Sequence, residues 1–300
     1  MKNYFKLISQ AITFVIFIIF INLMRLIGID RASNLGAYIF KIIGPMTHSG
    51  WIVRNNLSFI YKDISNEKIS SLEKKIWDNF GRYVGEFAFI DENHLKNSKK
   101  VEVFGKEIIE DLHKQGRRCI IFSGHFANWD YILYSLLEVA GDAGVVYRKV
   151  NNQFIDSYLL KKRSMLGATL IKKGAEGARE IIRLIKGQKN ILMLVDQKMN
   201  EGIGIPLLNK TANTATGLAS LARQYDYAIV PLKIERIKGA NFRITFLESF
   251  EPEKTEAKED DIYKTTSRVN DILSGFIASL PDQWLWQHQR WGKPHEMKDE

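Results

Sequence analysis

The stretch CIIFSGHFANWD at residues 119–130 decides how this chain is read. Its opening residues are apolar, with β-branched and aromatic side chains, the composition of a buried strand. Gly124 marks a turn, and His125 stands just past the strand's C-terminal end. In an open α/β sheet that edge is where ligands bind. A helical pattern follows over 130–140, with Asp130 five residues beyond His125. If that helix starts near Ala127, the two side chains meet across the turn. A carboxylate beside an imidazole fixes its tautomer and stabilises the imidazolium formed when the ring takes a proton. The pattern G-x-S-x-G is absent, so no serine elbow competes for the chemistry. The pair therefore suits a histidine general base that acts directly on a hydroxyl. The plainer reading is a structural histidine satisfied at a strand end.

Working outward, short apolar runs alternate with helical patterns on both sides of this stretch. GVVYR (144–148), ILMLVD (191–196), AIVPLKI (228–234) and FRITFL (242–247) read as strands. Helical stretches near 153–165, 175–187 and 214–225 separate them, and 262–280 reads as a closing helix after the acidic segment EPEKTEAKEDD (251–261). This alternation predicts an α/β fold with a mixed, mostly parallel sheet flanked by helices, over residues 101–300. Before it, Ile69, Leu72, Ile76, Phe80, Tyr83 and Phe87 recur at three- and four-residue spacing and predict a helix over 67–90. Residues 31–100 form a helical connector, with a basic and aromatic fringe (Lys41, Trp51, Arg54) suited to a membrane surface. No internal repeat is present.

Residues 1–30 form an N-terminal anchor. Eighteen residues without a charge, Leu7 to Met24, lie between Lys6 and Arg25. At about 1.5 Å per residue they cover roughly 27 Å, close to the ~30 Å hydrocarbon core of a bilayer. A spanning or deeply inserted membrane helix is the expectation. A cleaved signal peptide and a helix lying in the interface are the rivals, and no A-x-A-like cleavage site follows the apolar run. Charges flank both ends, so charge placement does not fix orientation.

The 300 residues carry 43 Lys+Arg against 34 Asp+Glu, a net charge of +9. The excess is concentrated. Residues 1–62 hold a net +6, and residues 143–190 a net +8. Anionic lipid and an acidic carrier protein fit such blocks. A nucleic-acid partner does not, since no recognition motif is present. A single cysteine, Cys119, excludes an internal disulfide framework and a cysteine-rich zinc module.

The segment GHFANWD (124–130) resembles the H-x4-D/E signature of membrane-bound acyltransferases, in the GHFxNWE/D form of the lipid A late acyltransferases of Gram-negative bacteria. Further segments match in the family's order: WIVRNNLSFIYKDIS (51–65), VYRKVNN (146–152), KKRSMLGATLI (161–171), LMLVDQ (192–197), NTATGLASLAR (213–223) and PDQWLWQHQRWG (281–292). The resemblance covers nearly the whole chain and implies a fold like that of the glycerolipid acyltransferases. It implies transfer of a fatty acyl chain from acyl carrier protein, or CoA, to a hydroxyl of a lipid A precursor, at the cytoplasmic face of the bacterial inner membrane. No metal or bound cofactor is implied.

On this resemblance His125 is the base and Asp130 its orienting partner. Arg163 corresponds to a functional arginine and Asp196 to a functional acidic residue. Physically, Arg163 would bind phosphate or a thioester oxyanion through paired N–H groups, and Asp196, at a strand end, would orient Arg163. Arg148 and Asn128 are further candidates for phosphate or oxyanion contacts. Plainer alternatives are a basic helix face for Lys161, Lys162 and Arg163, and a helix cap for Asp196. Phe126, Trp129, Tyr131 and Tyr134 would line an acyl groove or simply fill core. Two departures bear on the acceptor more than on the reaction: aspartate at 130 where many lipid A members have glutamate, and His288-Gln289-Arg290-Trp291 in place of the commoner His-Arg-Arg. Two other readings are an acyltransferase acting on another lipid or glycolipid, and a catalytically silent membrane scaffold for acidic partners.

Overall fold

The computed structural model describes residues 2–90, 99–141, 143–147, 150–164, 169–172 and 175–292. Strands β1 (Val101–Phe104), β2 (Cys119–Ser123), β3 (Ala143–Tyr147), β4 (Thr169–Lys172), β5 (Asn190–Leu194), β8 (Ala228–Lys238) and β9 (Asn241–Phe246) form one seven-stranded sheet. Its order is β1-β9-β8-β2-β5-β3-β4. All neighbouring pairs are parallel except β8 with β9. The expected mixed, mostly parallel sheet flanked by helices is therefore the fold. β2 is buried at all five positions, as an apolar central strand must be.

Three features escaped the sequence pattern. β1 and β4 are four-residue edge strands, too short to show a period. The hairpin of β6 (Ile203–Leu207) and β7 (Lys210–Thr214) contains Gly204 and Pro206, which weaken any strand signal. Its two-residue turn, Leu208 and Asn209, has φ of 52° and 59°, the type I′ geometry that suits the twist of a hairpin.

Ten α-helices surround the strands among the described residues. The first four are α1 (Lys2–Ile27), α2 (Ile29–Ile43), α3 (His48–Ile60) and α4 (Asn66–Glu86). Then come α5 (Lys106–Lys114), α6 (Asp130–Ala140), α7 (Gln153–Ser164) and α8 (Ala175–Lys186), followed by α9 (Gly217–Tyr225) and α10 (Lys258–Ser279). The acidic first turn of α10, Glu259 to Asp261, complements the helix dipole, so the helix starts earlier than its apolar pattern does.

The connector packs into the same core as the sheet. Val53, Leu57, Ile76 and Trp77 belong to one buried cluster with β2, β5 and β8 side chains. Helices α2 and α4 touch backbone to backbone, and a Cβ on Gly36 would stand 2.1 Å from the Gly81 carbonyl oxygen. Where they meet, Glu86 is fully buried and paired with Arg236 of β8. Ser33 Oγ donates to Glu86 Oε1 (2.7 Å), and Arg236 Nε donates to Asn79 Oδ1 (3.0 Å).

Helix α1 lies by one stripe along the α/β domain and the end of the connector. Gln10 Nε2 donates to the Asn151 carbonyl (2.9 Å), and Asn152 Nδ2 donates to the Gln10 carbonyl (2.8 Å). Phe14 packs on Phe154 and Tyr158, Phe17 on Phe87 and Tyr158. Ile21 and Met24 are buried, and Arg25 Nε donates to the Ala88 carbonyl (2.9 Å).

Removing one member of a buried ion pair leaves an uncompensated charge, at a cost of about 3–5 kcal/mol. Glu86→Gln keeps the volume and deletes the charge that Arg236 needs. Denaturant unfolding of the solubilised protein should show a loss of that size; a loss under about 1 kcal/mol, the scale of an exposed pair, would remove Glu86 from its role as the connector's anchor.

Candidate active site

Strand register builds the site. β2 and β5 run parallel with Ile120 opposite Ile191 and Ser123 opposite Leu194. The ladder continues as Val195 N donates to the Ser123 carbonyl (3.0 Å). Two residues further along this register, His125 meets Asp196. His125 Nδ1 lies 2.7 Å from Asp196 Oδ1, and the His125 backbone N–H donates to Oδ2 (2.8 Å). The Trp284 indole N–H donates to the same Oδ2 (2.8 Å).

The loop between β2 and α6 is held tightly. A Cβ on Gly124 would stand 3.0 Å from Asp196 Oδ2 and 2.7 Å from the Phe126 ring, so any side chain here would press on both. Ala127 sits in the left-handed region at φ 47°. Its N–H donates to the Gln283 carbonyl (2.9 Å), and Leu285 N–H donates to the His125 carbonyl (3.0 Å). The segment after α10 thus lies on the loop as a short antiparallel bridge, Phe126 opposite Trp284.

Asp196 is 2% exposed. Burial pushes its carboxyl up, but the His125 charge and the three hydrogen bonds outweigh that and hold it well below the usual carboxylate range. With Asp196 ionised, the ring proton belongs on Nδ1. Nε2 is then the acceptor, 3.5 Å from the Gln197 side-chain nitrogen, on a ring that is 16% exposed.

Asp130 serves a different partner, which corrects the expected His125–Asp130 pair. As the first residue of α6, its Oδ1 accepts from Arg163 Nε (3.0 Å) and Nη2 (2.6 Å), and its Oδ2 accepts from the Tyr83 hydroxyl (3.0 Å). Nor does Asp196 orient Arg163, as expected from the sequence. The two carboxylates have exchanged roles, because register places Asp196 on the imidazole and leaves Asp130 facing α7. Arg163 is the inward member of the Lys161–Lys162–Arg163 run, and Asp130 raises its already high pKa. Burial, then the Asp130 charge, pushes the Tyr83 hydroxyl well up, so it remains a donor. Tyr83 stacks on Trp129 at 3.9 Å between centroids, and Trp129 meets the His125 ring edge-on at 5.1 Å.

Asn128 is also corrected. It is fully buried and donates from Nδ2 to Glu86 Oε2 (3.0 Å), so it ties the loop to the Glu86–Arg236 pair and does not face a ligand. Arg148 and the Tyr134 side chain lie outside the described residues. Phe126 and Tyr131 are core, whereas Trp129 is a wall of the site.

A cavity of about 430 Å³ opens beside these groups. His125, Gln197, Tyr83, Asp130 and Arg163 give it a polar end. Leu133, Val145, Leu159, Leu170, Leu192 and Leu218 are among its apolar walls. Such a space takes a molecule with a reactive polar end and a long apolar portion. Sequence reasoning missed Tyr83, whose spacing reads as plain helix core, and Trp284, whose indole N–H is visible only as one tryptophan among three in the final motif.

Residues 2–293 match the family described as bacterial lipid A biosynthesis acyltransferase. The lipid A biosynthesis lauroyltransferase of Escherichia coli (strain K12) is 24% identical over 252 residues, covering 80% of this chain and 78% of that protein. Among solved structures, the 1-acyl-sn-glycerophosphate (LPA) acyltransferase PlsC from Thermotoga maritima aligns with a TM-score of 0.40 and 14% identity, over 84% of this chain and 96% of that one.

The depressed Asp196 carboxyl links stability to pH. Its folded pKa lies below the unfolded value of about 3.9, so its contribution is present above that pH and is lost as pH falls through the folded value. Urea unfolding between pH 5 and pH 3 should show wild-type stability falling more steeply than that of Asp196→Asn. Equal slopes would mean that the carboxylate is not held as described.

Proposed function

This chain belongs to the family of bacterial lipid A biosynthesis acyltransferases, and from that membership we propose that it moves a fatty acyl chain from acyl carrier protein, or CoA, to a hydroxyl of a lipid A precursor. The reaction takes place at the cytoplasmic face of the inner membrane, with the N-terminal helix holding the enzyme there. The observation that carries the mechanism is the His125–Asp196 pair, with Nε2 open to a cavity whose far walls are apolar.

The acceptor hydroxyl gives its proton to His125 Nε2 as its oxygen attacks the thioester carbonyl carbon. Asp196 stabilises the imidazolium that results. Negative charge gathers on the carbonyl oxygen, and Arg163, held in place by Asp130 and Tyr83, is the cation available to meet it. Collapse of the tetrahedral adduct breaks the carbon–sulfur bond, and the leaving thiolate takes the proton back from His125. A thioester is already an activated acyl donor, so base and cation suffice and no cofactor enters the scheme. The apolar walls receive the acyl chain, and the net +8 of residues 143–190 suits the acidic carrier and the phosphates of the acceptor. Arg148, from that block, is retained as a phosphate contact on sequence grounds.

His125→Ala should abolish transfer from acyl carrier protein in isolated membranes while the protein stays folded by circular dichroism; retained activity would remove the mechanism. Asp196→Asn should lower kcat by roughly 10²–10⁴-fold, a larger loss than Asp130→Asn. The reverse order would return Asp130 to the histidine. In cells lacking the protein, the mass spectrum of total lipids should show lipid A short of one acyl chain. Loss of a different acylated lipid would reassign the acceptor.

A further inference from the structure

Helix α1 has the length and composition to cross a bilayer, yet its contacts describe another placement. The docked stripe runs from Gln10 to Arg25, about 22 Å at 1.5 Å per residue. The uncharged stretch begins at Leu7, directly after Lys6. Docked and apolar lengths are therefore nearly the same. If α1 crossed the ~30 Å hydrocarbon core, the flank it rests on would have to enter the core with it. That flank includes Asn151 and Asn152, and Gln153 at the start of the helix that also carries exposed Lys161, and such polar groups are costly in hydrocarbon.

From these contacts we infer that α1 lies in the plane of the membrane surface, as a helix embedded from one side that stays docked on the α/β domain. Its outward face fits that position. Ile8, Ile12, Val15, Ile16, Ile19 and Leu23 are all more than half exposed, and exposed cations at Lys6 and Arg31 bracket the helix. This is the pattern of an interfacial helix on anionic lipid. The placement also sets the site's depth. Phe17 of α1 packs on Phe87, which is itself a wall of the cavity. A bilayer-anchored acceptor would then reach the polar end laterally, beside α1, without leaving the leaflet. The inference rests on the membrane association proposed above and goes beyond it in topology.

The test labels single cysteines at exposed positions flanking the apolar stretch of α1 and off its lipid-facing stripe, Lys6→Cys and Arg31→Cys, in the full-length protein. Cys119 is buried and contributes no background in the folded protein. An impermeant maleimide is applied to inside-out and right-side-out membrane vesicles. Both positions should react in inside-out vesicles alone. A short bifunctional thiol reagent should join Phe14→Cys to Tyr158→Cys, with acyl transfer retained at more than half of the uncrosslinked rate. Labelling of the two ends from opposite sides overturns the inference and leaves the acyltransferase reading intact, as does loss of activity on cross-linking. Recovery of active protein in the soluble fraction overturns both the topology and the membrane association.

Discussion

Asp196 is a carboxylate almost entirely removed from water, and a buried anion persists only when donors satisfy it on every side. Its donors come from three places: the His125 ring, the His125 backbone, and the Trp284 indole. Each donor imposes a condition on the chain. The ring requires β2 and β5 to end in register. The backbone N–H requires an approach so close that a Cβ at position 124 would press on the carboxylate. The indole requires the segment after α10 to cross the mouth of the loop, where its backbone also bonds to His125 and Ala127. The left-handed Ala127 is the bend that lets one short loop meet all three.

The seven residues from Gly124 to Asp130 form a junction as well as a site. His125 contacts the carboxylate after β5, Asn128 the Glu86–Arg236 pair between α4 and β8, and Asp130 the guanidinium at the end of α7. Three pairs that share no residue, one imidazole–carboxylate and two guanidinium–carboxylate, are therefore joined through one loop. Partners of a buried pair are coupled, so each of these pairs fixes one point of the loop that carries the imidazole. This explains why a motif that reads as two reactive residues and filler has so few free positions. The expected role of Asn128, a phosphate or oxyanion contact, fails because its side chain is fully buried and its Nδ2 is turned to Glu86.

What was legible in the sequence was local. The buried strand ending at His125, the helix after it and the strand ending at Asp196 all follow from runs of apolar residues, and the α/β class follows from their alternation. The pairing of His125 with Asp196 does not, because it depends on β2 and β5 being neighbours, which the order of the chain conceals: β3 and β4 intervene. Proximity in sequence favoured Asp130, the nearer carboxylate, and proximity in space chose the one 71 residues away. Tyr83 shows the same limit. Its helical spacing is that of a core residue, and its hydroxyl gains a purpose only where α4 crosses α6. The short strands β1 and β4 and the Gly- and Pro-bearing hairpin lack the length or composition that a period requires.

The brace on His125 also has a place in time. Synthesis proceeds from the N-terminus at roughly 5–20 residues per second, so Trp284 leaves the ribosome on the order of ten seconds after His125 does. Through that interval the sheet edge can assemble, but Asp196 lacks its indole donor and the loop lacks the strand that pins it. The helix at the start of the polypeptide is made long before. The imidazole of His125 is thus fully braced only when the last turns of the fold close over it.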